Sequence, residues 1–300
     1  PKKFDLSSGS LIERLKPVVP IPVSTGRETP APAEAPQPPD PLAHLPLDPA
    51  LVDGLCHQES PYVGVHYFQK EQAPLFFGRN EEVRELYEER ILPLRPRQVL
   101  LFYGASGVGK SSLLHAGLFP RLEYQGWHVG YRRRDKQAGL DHDLEILRAK
   151  ALESEADAKL LLLDQVEEIF TDPGRPDEVR AFFDTLDEVL TQHPQLKTVL
   201  SFRKEYLADI KDQLRDRGIN FLWYSLRTLQ EEGVRRAIHG VFREPEVKKQ
   251  FDGLDSLDPD LENALVRDIL TDEDSNIAPL LQYQLRTVWD QAIERRAKDG

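Results

Sequence analysis

Eight consecutive residues, Gly104-Ala105-Ser106-Gly107-Val108-Gly109-Lys110-Ser111, fit the pattern GxxxxGK[ST] in full. Glycines at this spacing let backbone N–H groups wrap an anion, and a helix starting at the loop adds unpaired amides and its positive dipole end. The chemistry is phosphate binding. Gly104, Gly107, Val108, Gly109 and Ser112 belong to the cradle, Lys110 bridges β- and γ-phosphates, and the Ser111 hydroxyl ligates Mg²⁺.

Such a loop needs a carboxylate on a neighbouring strand to orient the metal. Asp164, directly after the aliphatic run Leu160-Leu161-Leu162-Leu163, is the candidate. The acid that polarises the attacking water lies among the residues that follow: Gln165, Glu167 and Glu168, with Glu167 preferred. Arg203 follows the strand expected at Thr198 to Phe202, at the carboxyl edge where open α/β sheets bind ligands, and is placed to reach a γ-phosphate. No NKxD or TKxD occurs, so the usual guanine-reading carboxylate is missing and adenine is the expected base. Arg132-Arg133-Arg134 is expected to be solvated or paired with acids, and Asp141-His142-Asp143 lacks a third ligand at metal-site spacing.

The elements that must carry these residues can be read from periodicity. Asn80 is a candidate N-cap for a helix over Glu81 to Leu92, with Val83, Leu86, Tyr87 and Ile91 on one face. Strands are expected at Gln98 to Tyr103, Trp127 to Arg132, Leu160 to Leu163, Thr198 to Phe202 and Leu222 to Leu226. Helices are expected at Lys110 to Leu118, Asp143 to Ala156 and Asp177 to Thr191. This alternation predicts a doubly wound α/β domain, a parallel sheet flanked by helices. After Thr228 only helical patterns remain, over Gln230 to Gly240, Leu261 to Leu270 and Pro279 to Arg296, so a smaller all-helical domain follows. The expected division is a Pro-rich linker over 1–49, a nucleotide-binding domain over 50–227 and a helical lid over 228–300. Eleven of the 23 prolines lie between Pro17 and Pro49, and Leu11, Ile12 and Leu15 form at most a short helical turn.

Bulk composition narrows the function. The 300 residues carry 39 Lys plus Arg against 51 Asp plus Glu, a formal net charge of −12. That is the wrong sign for binding nucleic acid by bulk phosphate attraction. One cysteine, Cys56, excludes an internal disulfide framework and a cysteine-based zinc site, which points to a reducing, cytoplasmic setting. The apolar runs are strand-sized, so no membrane span is expected. The chain opens on Pro1 without any methionine and reads as part of a longer protein.

Taken together, these stretches resemble the STAND class of signalling ATPases, close to the bacterial novel-STAND group. The likeness is carried by Phe76-Phe77-Gly78-Arg79-Asn80-Glu81-Glu82, the phosphate loop continued through Ser112-Leu113-Leu114-His115-Ala116-Gly117-Leu118, and Leu163-Asp164-Gln165-Val166-Glu167-Glu168-Ile169-Phe170. Two later pieces are Val199-Leu200-Ser201-Phe202-Arg203 and Ala278-Pro279-Leu280-Leu281-Gln282. The resemblance implies that Phe77, Gly78 and Arg79 border an adenine pocket, that Arg203 is a sensor arginine, and that Pro279 touches the base. It also implies ATP/ADP and Mg²⁺ as ligands, slow regulatory hydrolysis, nucleotide-dependent homo-oligomers and a role in antiphage defence. The effector and sensor domains of such a switch would lie upstream and downstream, outside these residues.

Two other functions fit a phosphate loop. A P-loop kinase acting on a small acceptor would close a short basic lid, where this chain has a substantial helical region. An AAA+ ATPase working on DNA would need a basic stripe, which the charge balance disfavours.

Overall fold

The computed structural model describes residues 40–135, 137–172, 177–251, 259–271 and 277–299. The chain divides into a unit Pro1–Pro38, outside the described residues together with the expected turn at Leu11 to Leu15, and a unit Pro39–Gly300.

In the second unit, helix α1 covers Asn80–Arg84 and continues in wider turns over Glu85–Ile91. Then come β1 (Gln98–Gly104) and α2, which begins at Lys110–Ser112 and runs on through Leu113–Leu118 and Phe119–Tyr124. Next are β2 (His128–Arg133), α3 (Leu140–Glu153), β3 (Lys159–Asp164), the short α4 (Glu168–Thr171) and α5 (Glu178–Gln192). The α/β part closes with β4 (Lys197–Arg203), α6 (Leu207–Asp216) and β5 (Asn220–Leu226). Among the described residues four helices follow: α7 (Glu231–Arg243), α8 (Pro245–Lys248), α9 (Pro259–Thr271) and α10 (Ile277–Asp299).

The five strands form one sheet in the order β2-β3-β4-β1-β5, every pair parallel. Successive side chains of a strand alternate faces, and here both faces are covered. Val99, Leu101, Leu161 and Leu163 pack beneath α3, α5 and α6, whereas Leu100, Phe102, Leu160 and Leu162 meet α1 and α2. Leucines at all four positions of the β3 run are therefore buried, as a strand with helices on either side requires.

Two boundaries differ from the sequence expectation. Leu42 and Leu45 are buried in the core beside α1 and α2, so residues 40–49 are not linker. The turn is made by Asp40, whose carboxylate accepts from the Leu42 N–H at 3.0 Å and from the Asn80 side-chain amide at 3.1 Å. Asn80 is thereby engaged away from the helix end it was expected to cap; the N-cap residue is Arg79. Further on, Leu55, Tyr62, Phe68 and Leu75 share one core with Val234, Ile238, Leu281 and Trp289. The segment before the α/β part thus packs with the helices after it.

Candidate functional site

Parallel strands bring their carboxyl ends to one edge, and register decides which residues meet there. Gly104 pairs with Arg203 on one side and Leu226 on the other, while Asp164 pairs with Ser201. The phosphate loop, the acid and the strand-end arginine therefore line a single edge, with β4 between β3 and β1.

The loop geometry requires its glycines. Gly107 and Gly109 have φ of 73° and 100°, a region L side chains rarely occupy. A Cβ on Gly104 would lie 2.7 Å from the Leu226 carbonyl oxygen. Lys110 Nζ donates to the carbonyls of Gly104 and Ala105, both at 3.1 Å, folding back over the loop. Burial pushes its ammonium below the usual range, against the pull of Asp164 and Glu167. Ser111 is half-buried in the first turn of α2, and the Ser112 hydroxyl accepts from the Phe68 N–H at 3.2 Å.

Asp164 is 4% exposed, accepting from the Gln165 N–H at 3.0 Å and the Tyr131 hydroxyl at 3.1 Å. Burial and the Asp164 charge push the Tyr131 phenol up, so it remains a protonated donor. Gln165 has φ 58°, a strained conformation for a residue with a side chain, and its side-chain oxygen accepts from Arg133 Nε. That left-handed step turns the chain so that Glu167 returns to the sheet edge. Glu167 is 6% exposed, with Oε1 3.2 Å from Arg203 Nε and Oε2 buried without a hydrogen-bond partner. Burial raises its carboxyl above the usual carboxylate range, while its own N–H, Arg203 and Lys110 pull the other way. Among the three candidates for the polarising acid, Glu167 is the one beside Arg203. Glu168 sits half-buried at the start of α4, and Gln165 faces Arg133.

Phe77, Gly78 and Arg79 have separate neighbours. A Cβ on Gly240 would lie 2.1 Å from the Phe77 ring, and one on Gly78 would lie 2.3 Å from the Gly233 carbonyl oxygen, so both residues press on α7. Arg79 is 4% exposed. Its guanidinium pairs with Glu82 at 2.6 Å and donates to the Arg227 carbonyl at 2.9 Å and the Val108 carbonyl at 3.1 Å. It braces the phosphate loop against the connection into α7. Pro279 lies in the first turn of α10, which starts two residues earlier than expected, and a Cβ on Gly109 would stand 3.8 Å from Ala278 Cβ. The start of α10 therefore adjoins the phosphate loop.

Arg134 plays no part at this edge. It is buried in an ion pair with Glu178 and lies 2.7 Å from Asp172. A cleft of about 570 Å³, bordered by His57, Tyr62, His66, Tyr67 and Arg286, opens between the segment preceding α1 and helix α10 rather than among the phosphate-loop residues. Among the described residues no group of three or more His, Cys, Asp or Glu could hold a metal ion. A hydroxyl and a carboxylate are instead the hard oxygen donors that suit Mg²⁺ when phosphates complete its shell, so Ser111 and Asp164 fit that ion. Sequence reasoning missed Tyr131 and the Phe68 contact to Ser112, because nothing in the local pattern links residues so distant along the chain.

The family model described as Novel STAND NTPase 1 matches residues 61–299. Comparison with curated proteins gave no match. Among solved structures, the chain is similar to domain III of the replication initiation protein DnaA of Thermotoga maritima, at 16% identity and TM-score 0.45, over 85% of this chain and 92% of that one. It is also similar to the ORC1 protein of Aeropyrum pernix in complex with DNA, at 14% identity and TM-score 0.48, over 79% and 64%. A replication initiator DnaA bound to AMPPCP and single-stranded DNA matches at 19% identity and TM-score 0.41, over 73% and 64%. This chain thus spans less than two thirds of that initiator. No helix among the described residues is long and apolar enough to cross a membrane.

Proposed function

Because this chain belongs to the novel STAND NTPase family, we propose that it is the ATP-binding, slowly hydrolysing switch of a larger signalling protein. The observation that carries this reading is the sheet edge where Gly104, at the start of the phosphate loop, pairs with Arg203, Asp164 pairs with Ser201 on the same strand as Arg203, and Glu167 Oε1 lies 3.2 Å from Arg203 Nε. Loop amides and Lys110 would hold the phosphates, Ser111 and Asp164 would hold Mg²⁺, and Glu167 would take a proton from the attacking water. The bound cation would neutralise charge on the phosphates. Arg203 has its side chain half exposed, so it is free to leave Glu167 for a γ-phosphate.

Adenine is the base, bordered by Phe77, Gly78 and Pro279, with Arg79 acting on the loop from behind. The contact between the start of α10 and the phosphate loop supports a second element of the proposal, that nucleotide state changes how the helices sit on the α/β part. The output is then opening and homo-oligomerisation, driving an effector and answering a sensor outside these residues, in defence against phage. Phosphate release from ATP and Mg²⁺ without any acceptor tests the reading. Turnover that is slow but abolished by Lys110→Ala supports it, and turnover that requires an added acceptor points to a kinase.

A further inference from the structure

Asp164 is held at both carboxylate oxygens. Oδ1 accepts the N–H of Gln165, a bond within its own turn, and Oδ2 accepts the hydroxyl of Tyr131 on the neighbouring strand. Register explains the reach. Tyr131 pairs with Leu162, two residues before the acid and on the same face of β3, so a long side chain on β2 can meet Asp164 diagonally.

The ring is fixed in place. Its centroid lies 4.4 Å from that of His115, with the planes at 75°, and 5.8 Å from that of Phe119. Both partners stand on α2, the helix that begins at Lys110. Tyr67 covers the His115 ring from outside at 5.3 Å. Clamped between β2 and α2, the phenol directs its hydroxyl at Asp164.

We propose that Tyr131 is a positioning residue of the divalent-cation site, fixing the orientation in which Asp164 meets a cation and tying it to the helix of the phosphate loop. The proposal rests on reading this edge as a Mg²⁺-nucleotide site. A residue that only filled space would serve equally well as phenylalanine, since the aromatic contacts do not involve the hydroxyl. Without the hydroxyl, Oδ2 loses its partner from β2 and the carboxylate is held by the Gln165 N–H alone. Loss of such outer partners costs about 10- to 100-fold in metal affinity.

Tyr131→Phe in the whole chain tests this, with Mn²⁺ as the spin probe for cation binding to the ADP complex and calorimetry for ADP affinity in EDTA. The expected result is Mn²⁺ affinity lowered about ten-fold or more, ADP affinity in EDTA unchanged, and a melting temperature close to that of the parent. Tyr131→Phe should add nothing to the loss already caused by Asp164→Asn, because the two residues act as one unit. Parental Mn²⁺ affinity in Tyr131→Phe, or a full additional loss on top of Asp164→Asn, overturns the role of Tyr131 alone. A parent chain that binds no ADP, or whose ADP complex binds no Mn²⁺, overturns the nucleotide-site reading and this role with it.

Discussion

Arg203 Nε stands 3.2 Å from Glu167 Oε1 across the carboxyl edge of the sheet, while Oε2 of the same carboxylate is buried with no hydrogen-bond partner. The guanidinium holds the acid on one side, and in the proposed reaction the other side takes the proton. Glu167→Gln keeps the shape and removes the proposed base. ATP affinity should stay near the parent value while phosphate release slows by about 10²- to 10⁴-fold, the usual contribution of a general base. If Glu168→Gln is inactive and Glu167→Gln is normal in that assay, the acid has been misassigned.

The pair also sets a pH dependence. Burial raises the Glu167 carboxyl and Arg203 lowers it. Arg203→Met removes the lowering charge, so the acid limb of the kcat/KM profile, which reports the free enzyme where the pair is made, should move to higher pH. An unmoved limb would show that the guanidinium does not act on this carboxylate. The stability sign follows from the same raised value: the cost is absent below the ordinary carboxylate range, where both states are protonated, and complete above the raised value. Glu167→Gln should therefore raise the melting temperature at neutral pH and leave it unchanged in strong acid.

Arg79 gives a prediction that separates phosphate from base. Its partners are the Val108 and Arg227 carbonyls and Glu82. Arg79→Met should weaken ADP and GDP by the same factor, on the order of ten-fold or more for lost charge-assisted bonds. A loss confined to the adenine nucleotide would mean that the side chain reads the base.

The phosphate loop and the β3 acid were legible in the sequence because each is a local pattern, a glycine spacing or four leucines ending in Asp164. The surroundings were not. Sheet order, which places β4 between β3 and β1 and so brings Arg203 to Glu167, depends on crossovers that no short pattern encodes. Gln165 occupies a position where an acid was sought, and only its left-handed backbone explains how the chain returns Glu167 to the edge. Leu42 and Leu45 lie among prolines and looked solvated, yet an Asp40 turn sets them into the core.

Those two leucines make a truncation informative. Deleting residues 1–49 removes both, and a buried Leu→Ala change alone costs about 2–5 kcal/mol. The deletion should lower the melting temperature by many degrees, whereas Leu45→Ala should give a smaller drop. A truncated chain that melts like the parent would show that the docking seen at Leu42 and Leu45 contributes nothing.

Gly78 tests the close approach to α7. Its φ is 88°, and a Cβ would lie 2.3 Å from the Gly233 carbonyl oxygen. Gly78→Ala should cost about 1–3 kcal/mol or more, from strain and overpacking. Thermal unfolding that matches the parent would contradict the contact.

We propose that nucleotide state at this sheet edge governs how the helices sit and whether chains assemble. Light scattering on the purified chain, first with ADP and Mg²⁺ and then with a non-hydrolysable ATP analogue and Mg²⁺, measures it directly. A compact smaller species is expected with ADP and a larger species with the analogue, the difference being lost in Lys110→Ala. The same mass and radius in both nucleotides, with binding of each confirmed by calorimetry, would contradict it.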